Sequence, residues 1–218
     1  MIEGITVALD GSTYAGSVAV IRDGAVVAAR ELPPSDTPGR SGRDENFMPM
    51  VADALRDAGV SPRQVDRVVC GAGPGSFTSL RIAASIGKGL AVGAGCPLYA
   101  VSSLALMVAG LDPGRYLATL PAMRGEVFAL PVERDAAGVV RSGDATIIAD
   151  ESADREAEKA GARRVSERPH ARAVANVLAW VVSTGPCDID SWEPQYGRLA
   201  EAQVKWEAAH GRPLTVSG

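Results

Sequence analysis

The sequence predicts an α/β fold of two tandem related lobes, each a mixed sheet flanked by helices, and three observations lead there. Short apolar runs of strand character alternate with segments whose apolar residues recur at helical spacing. Three strand-like runs open the chain and a second set of three begins at Tyr116, so the pattern partly repeats. Between them stands Val68 to Gly93, VVCGAGPGSFTSLRIAASIGKGLAVG, where an apolar strand, a glycine loop and a long helix follow one another directly. The expected lobes are residues 1–110 and 111–218.

In the first lobe Ile2 to Leu9 reads as a buried strand, Ser17 to Arg22 as a second, and Asp23-Gly24 as the hairpin turn into Ala25 to Leu32. Pro33 to Arg43 is a loop by its Pro, Ser, Gly and charge content. Asn46 or Asp44 caps a helix through Ala58, which Gly59 ends; Pro49 is tolerated because first-turn N–H groups lack helical partners. Val65 to Cys70 is a strand parallel to the first. After the glycine loop, Ser76 or Thr78 caps the long helix; Leu98 to Val101 is a strand, and Ser102 or Ser103 caps a helix over Leu104 to Ala109.

The second lobe opens with strands at Tyr116 to Pro121, Glu126 to Glu133 and Val139 to Ala149. Asp150 to Arg168 is polar, a helix or loop with little to bury. Pro169 begins a helix with Ala173, Val177, Leu178 and Val181 on its apolar face. Pro194 to Arg198 is extended, Leu199 to His210 has an amphipathic helical pattern, and Trp192, Tyr196 and Trp206 supply large anchors for this tail.

Two helices carry more than a single sheet contact requires. Gly87 and Gly89 stand mid-helix, where each glycine costs about 1 kcal/mol relative to alanine, so their missing side chains have a use. Ala83, Gly87 and Ala91 are four apart and share a face on which another backbone can approach closely, either the chain's own sheet or another molecule's helix. The first helix has an apolar stripe broader than a single sheet contact needs: either the helix is wedged between the sheet and a neighbouring helix of the same chain, or Met48 and Met50 spill into a partner surface, to which flexible thioethers are suited.

Composition excludes several classes. A net charge of −4 and a pI near 5.3 argue against a chain that grips nucleic acid alone, since phosphate neutralisation needs a basic surface. Cys70, Cys96 and Cys187 are too few and too widely spaced for a disulfide framework or a zinc site, and Cys70 reads as a buried thiol. The amino terminus lacks a signal-peptide pattern and no apolar run reaches about 18 residues, so a cytoplasmic location with no membrane span is expected. Gly71, Gly73 and Gly75 do not form a dinucleotide fingerprint, and Lys88 lacks the Ser/Thr of a P-loop. His170 and His210 lie forty positions apart, so no metal pair at helical spacing exists, and neither stands in a protease-like relation to Ser76 or Cys70. Asp10, Gly11 and Ser12 follow the first strand; they are either a plain turn or a degenerate nucleotide turn.

The segment GPGSFTSLRIAASIGKGLA resembles the signature of the bacterial tRNA threonylcarbamoyladenosine biosynthesis accessory family (TsaB, also called YeaZ). ITVALDGST with SVAV, ENFMPMVADAL, PAMRGEVFAL and PQYGRLAEAQVKWE resemble that family's opening hairpin, first helix, later hairpin and carboxyl-terminal segment, in order. Two departures stand out: Ser79 replaces the motif's usual glycine, and Glu45-Asn46 stand where the family tends to carry a histidine.

The resemblance implies a ribonuclease-H-like, actin-like fold of the ASKHA superfamily, an analogy that the order of strands and helices supports. It implies a non-catalytic scaffold subunit, with no catalytic or metal residues of its own, in the complex that forms N6-threonylcarbamoyladenosine at position 37 of tRNAs reading ANN codons. The partners implied are a metal-bearing TsaD-type subunit and a TsaE-type ATPase, with a homodimer when alone and tRNA contact only through the complex. No cofactor is required by the chain itself; ATP and magnesium would belong to the complex. The expected interface comprises Met48, Met50, Ser76, Phe77, Leu80, Arg81, Ala83, Gly87 and Ala91, with Ala83, Gly87 and Ala91 facing the partner. The alternative is an ATP-using phosphotransferase or ATPase of the same superfamily, for which Asp10 would be retained.

Overall fold

The computed structural model describes residues 2–32, 46–197 and 210. The expected helix at Leu199 to His210, with Trp206, and the loop at Pro33 to Arg43 lie outside the described residues, His210 apart.

The first sheet has the order β3-β2-β1-β4-β5. Strands β1 (Ile5–Asp10), β2 (Ser17–Arg22) and β3 (Ala25–Glu31) form an antiparallel meander; β4 (Arg67–Gly71) and β5 (Leu98–Val101) add to it in parallel. Asp23 and Gly24 both take positive φ, 51° and 82°, which makes the tight turn that their sequence announced. Antiparallel hairpins first and helix-linked parallel strands afterwards make this a mixed sheet.

Alternation along these strands decides what each face packs against. Val7, Leu9, Val18, Val20, Val68, Cys70 and Leu98 point to one side, where α1 (Phe47–Asp57) and α2 (Phe77–Ala94) cover them. Ala8, Ala19, Ile21, Val69, Tyr99 and Val101 point to the other, where they meet α3 (Ser103–Leu106) and α5 (Val174–Ser183). Beyond these lies the second sheet: β6 (Gly114–Met123), β7 (Glu126–Arg134), β8 (Val140–Ser142) and β9 (Thr146–Ala149), with β10 (Arg163–Val165) parallel to β6 at the edge. On its far face Leu117 and Ala129 pack on Ala157 of α4 (Ala153–Lys159).

Four differences from the sequence reading have physical causes. The third run of the second meander is two short strands, because both β8 and β9 pair with β7 across the bend at Gly143 to Ala145. Asp150 to Arg168 contains α4 and the unexpected β10, which is held by backbone pairing to Tyr116, Leu117 and Ala118 rather than by an apolar pattern. The last helix starts later than Pro169 because a 3-10 turn, Ala171–Ala173, intervenes; His170 caps it, its Nδ1 accepting from Arg172 N at 3.1 Å. Helix α3 is a single turn capped by Ser102. No helix of the described residues is long and apolar enough to cross a membrane.

Candidate functional site

Two places gather the residues that the sequence singled out: the turn after β1, and the α1–α2 layer.

At the turn, Asp10 Oδ1 accepts from Ser12 N (3.0 Å) and from Ser12 Oγ (2.6 Å). Oδ2 lies beside Gly71 and the Ser103 hydroxyl, and it makes no regular hydrogen bond among the described residues. Burial raises the Asp10 carboxyl above its ordinary value, against the smaller, opposing pull of Ser103 and Ser12. The turn is closed over by the glycine loop. Ser76 N donates to Ser12 O at 2.8 Å, a Cβ on Gly75 would fall on Ser12 backbone, and one on Gly11 would fall on the Ser79 carbonyl. Asp10, Gly11 and Ser12 are therefore buried structural residues, and the space that a phosphate would need is filled by the start of α2. This corrects the expected nucleotide turn and removes the main support for the phosphotransferase alternative.

The titration of Asp10 gives the first expected result. A carboxyl whose folded value is raised contributes fully below the unfolded value of 3.8 and loses that contribution as pH rises through its folded value. Asp10→Asn removes the buried charge while keeping an oxygen for Ser12. Denaturant titrations should find it at least as stable as wild type at pH 7, with its advantage shrinking towards pH 4. Asp10→Ala, which strands the Ser12 donors, should cost about 1–3 kcal/mol.

The glycine loop itself is clasped by the end of the described chain. Gly73-Pro74 is a cis peptide; Gln195 N donates to Ala72 O at 2.8 Å, and Cys187 N to Leu98 O at 2.7 Å. Tyr196 packs on Phe77 with ring centroids 4.4 Å apart, and the Arg81 guanidinium lies 5.5 Å over Phe77. Two sequence segments more than a hundred residues apart thus form one unit. Tyr196→Ala should cost about 1–2 kcal/mol in denaturant unfolding, part of it the aromatic pair; an unchanged midpoint would mean that the strap is not held there.

The α1–α2 layer sorts the expected interface residues into two sets. Phe47, Met50, Val51, Ala54 and Leu55 form the buried stripe of α1, so Met50 is core, while Met48 stands 51% exposed. On α2, Leu80, Ala83, Ala84, Gly87, Leu90 and Ala91 are all buried; Ala83, Leu90 and Ala91 pack with Val7, Leu9, Val68 and Cys70 of the first sheet, and Leu80 lies beside Gly73 of the glycine loop. A Cβ on Gly87 would collide with Cys70 Sγ and lie 3.3 Å from Leu9 Cδ1. Ala83, Gly87 and Ala91 therefore do not face another molecule: the close approach that their size permits is to β1 and β4. Met50 and Leu80 are corrected with them. Ser76, Phe77 and Arg81 remain at the surface. Ser76 holds the N-cap position, but its hydroxyl meets Ser79 Oγ at 3.2 Å rather than a helix N–H, which gives the unexpected Ser79 its place.

What α2 presents outward is a second face, composed of Thr78, Arg81, Ser85, Gly89 and Val92, with Ile82 and Ile86 at its border. A Cβ on Gly89 or Gly93 would meet nothing within 4 Å. Sequence reasoning did not place Ser85 and Val92 on this face; the available signal was Gly89, already singled out as a mid-helix glycine, whose size the chain's own packing does not require. Phe77, Thr78, Arg81, Ile82, Ser85 and Ile86 line an open groove of about 450 Å³ on this face.

Burial pushes the Cys70 thiol far up, and His170 is lowered by burial and by Arg172. No group of three His, Cys, Asp or Glu suited to a metal ion occurs among the described residues.

A family model described as TsaD: tRNA N6-adenosine threonylcarbamoyltransferase matches residues 41–173, more than half of the chain. The chain belongs to this family. Within it the similarity runs to the TsaB/YeaZ proteins. The tRNA threonylcarbamoyladenosine biosynthesis protein TsaB of Escherichia coli is 38% identical over 136 residues, 61% of this chain and 56% of that protein. The chain thus spans about half the length of the curated relatives it matches. An uncharacterized protein with similarity to peptidase YeaZ, from Pseudomonas aeruginosa, superposes with a TM-score of 0.73 at 26% identity, over 89% of this chain and 100% of that one. YeaZ from Pseudomonas aeruginosa gives a TM-score of 0.71 at 24% identity, over 88% and 99%, and shares the fold.

Proposed function

We propose that the chain is a non-catalytic partner subunit of a complex that forms N6-threonylcarbamoyladenosine at position 37 of tRNAs reading ANN codons, and that it binds and activates a TsaD-type catalytic subunit in the cytoplasm. The observation that carries this reading is the division of α2 into a fully packed inner face and an outward face of small and half-buried apolar residues around Arg81. Such a face lets another helix approach closely. Met48 on α1, exposed, and Phe77 at the start of α2, half-buried, add apolar surface to the same helical layer. The closed turn at Asp10 supports the non-catalytic part, since the residues that would do phosphate chemistry are engaged in holding α2 to the sheet.

The same surface serves a second copy in a homodimer when the catalytic subunit is absent. A TsaE-type ATPase joins at the level of the assembly, ATP and magnesium are handled there, and tRNA is met through the complex. The chain's acidic balance agrees with that last point. The test is to mix the purified chain with a TsaD-type subunit and weigh the product by light scattering after gel filtration, with ATP turnover of the chain alone measured in parallel. A stoichiometric complex and no turnover are expected. Separate elution, or robust ATP hydrolysis abolished by Asp10→Ala, would overturn the proposal.

A further inference from the structure

We propose that Tyr196 is a positioning residue for the partner surface: it clamps the first turn of α2, which that helix does not cap for itself, and so holds Phe77 and Arg81 in place at the head of the groove. That the groove receives a partner rests on the function proposed above; the clamp itself does not.

The first turn of α2 needs holding. A helix leaves its first N–H groups without helical partners, and a side-chain cap or an acidic residue in the first turn ordinarily steadies them. Ser76 stands at the cap position of α2 without a side-chain hydrogen bond to the helix, and no acidic residue lies in the first turn. Phe77 and Thr78 belong to that turn and, with Arg81 one turn further on, line the head of the groove. An uncapped helix end frays, and fraying here would loosen the residues that a partner meets first.

Tyr196 supplies the restraint, and its own backbone is fixed on both sides. Gln195 N donates to Ala72 O at 2.8 Å. Gly197 takes a φ of 70°, and a Cβ there would lie 2.5 Å from Phe128 Cε1 and 2.8 Å from Pro74 Cβ, so this glycine is wedged between β7 and the glycine loop. Held in this way, the Tyr196 ring meets Phe77 at a centroid distance of 4.4 Å and a tilt of 47°, within the range of a favourable aromatic pair. The Arg81 guanidinium lies 5.5 Å over the same Phe77 ring, so fixing Phe77 also fixes the charge beside it. Burial raises the Tyr196 hydroxyl above its ordinary value, Glu193 raises it further and Arg81 opposes them, which places both charges near the ring. The second sheet, through Phe128 and Gly197, thereby braces the head of the groove on α2. A partner that meets side chains already ordered need not order them on binding.

The experiment measures, on the full chain, amide hydrogen exchange and the Kd for a TsaD-type subunit, both at a temperature where every variant is folded. In Tyr196→Ala the amides of Leu80, Arg81 and Ile82, the first to be bonded within the helix, should exchange at least about tenfold faster, while those of Leu90 and Ala91 stay as in wild type. The Kd should rise about tenfold. Tyr196→Phe, which keeps the ring pair, should retain wild-type values of both. Gly197→Ala, outside the groove lining, should move both in the direction of Tyr196→Ala, because its added carbon displaces the strap from Phe128 and Pro74. Val177→Ala is the control for stability alone: Val177 is buried in α5, across the first sheet from α2, so the melt should fall with Leu80–Ile82 exchange and Kd unchanged.

Unchanged exchange at Leu80–Ile82 in Tyr196→Ala would overturn the clamp whatever the affinity. Faster exchange there with an unchanged Kd would overturn the positioning role, since the partner then does not depend on that turn. A Kd raised by Tyr196→Ala but not by Gly197→Ala would overturn it too, by making Tyr196 a direct contact. Wild-type chain that binds no TsaD-type subunit would remove the function proposed above and the groove's role with it, and the exchange contrast would still decide the clamp.

Discussion

Gly87→Leu should not yield a stably folded protein. Its first added carbon already meets Cys70 Sγ, and three more must enter a layer in which Leu9, Val68 and Cys70 are at most 1% exposed. Overpacking a core usually costs about 1–3 kcal/mol per such change and more where backbone must move. Helix propensity returns at most about 1 kcal/mol. Since a domain holds only about 5–15 kcal/mol in all, a loss of roughly 3 kcal/mol or more should appear as low soluble yield and an early thermal transition. Gly89→Leu, two residues along, is the control: nothing lies within 4 Å of its added carbon, so the melt should match or exceed that of wild type. Equal melts for the two variants would mean that the inner face of α2 is not Gly87's.

The same Gly89→Leu variant should lose assembly. A leucine there holds an incoming helix away from a face now limited by a glycine, and central interface positions are worth about 2–4 kcal/mol. A rise in Kd of at least about thirtyfold for the TsaD-type subunit is expected in titration calorimetry, roughly 2 kcal/mol. Arg81→Glu, at the rim beside Phe77, should weaken binding less and chiefly through the association rate. Undiminished binding by a folded Gly89→Leu would move the interface off α2.

The strands of the first sheet were legible because their apolar runs and turn residues agree: β2, the Asp23-Gly24 turn and β5 fall where the patterns place them. Helix α2 was legible in extent but not in orientation. Ala83, Gly87 and Ala91 announce that some backbone comes close, but spacing alone does not say whose, and it is the alternation of Leu9, Val68 and Cys70 beneath them that answers it. Met48 and Met50 look alike in sequence, yet helical periodicity sends one outward and the other into the stripe with Phe47 and Val51. Strand β10 gave no signal, since two of its three residues are arginines and its stability comes from pairing with β6. The closing of the Asp10 turn was illegible too, because it depends on Ser76 and Gly75 arriving from sixty residues away.

The central claim is that this chain enables another subunit's chemistry through the outer face of α2. It is tested most directly by tRNA threonylcarbamoylation by a purified TsaD-type subunit, supplied with its activated threonylcarbamoyl donor, in the presence of wild-type chain, Gly89→Leu or no addition. Modification should depend on wild-type chain and fall to the unsupplemented level with Gly89→Leu. Equal modification in all three reactions would contradict the account.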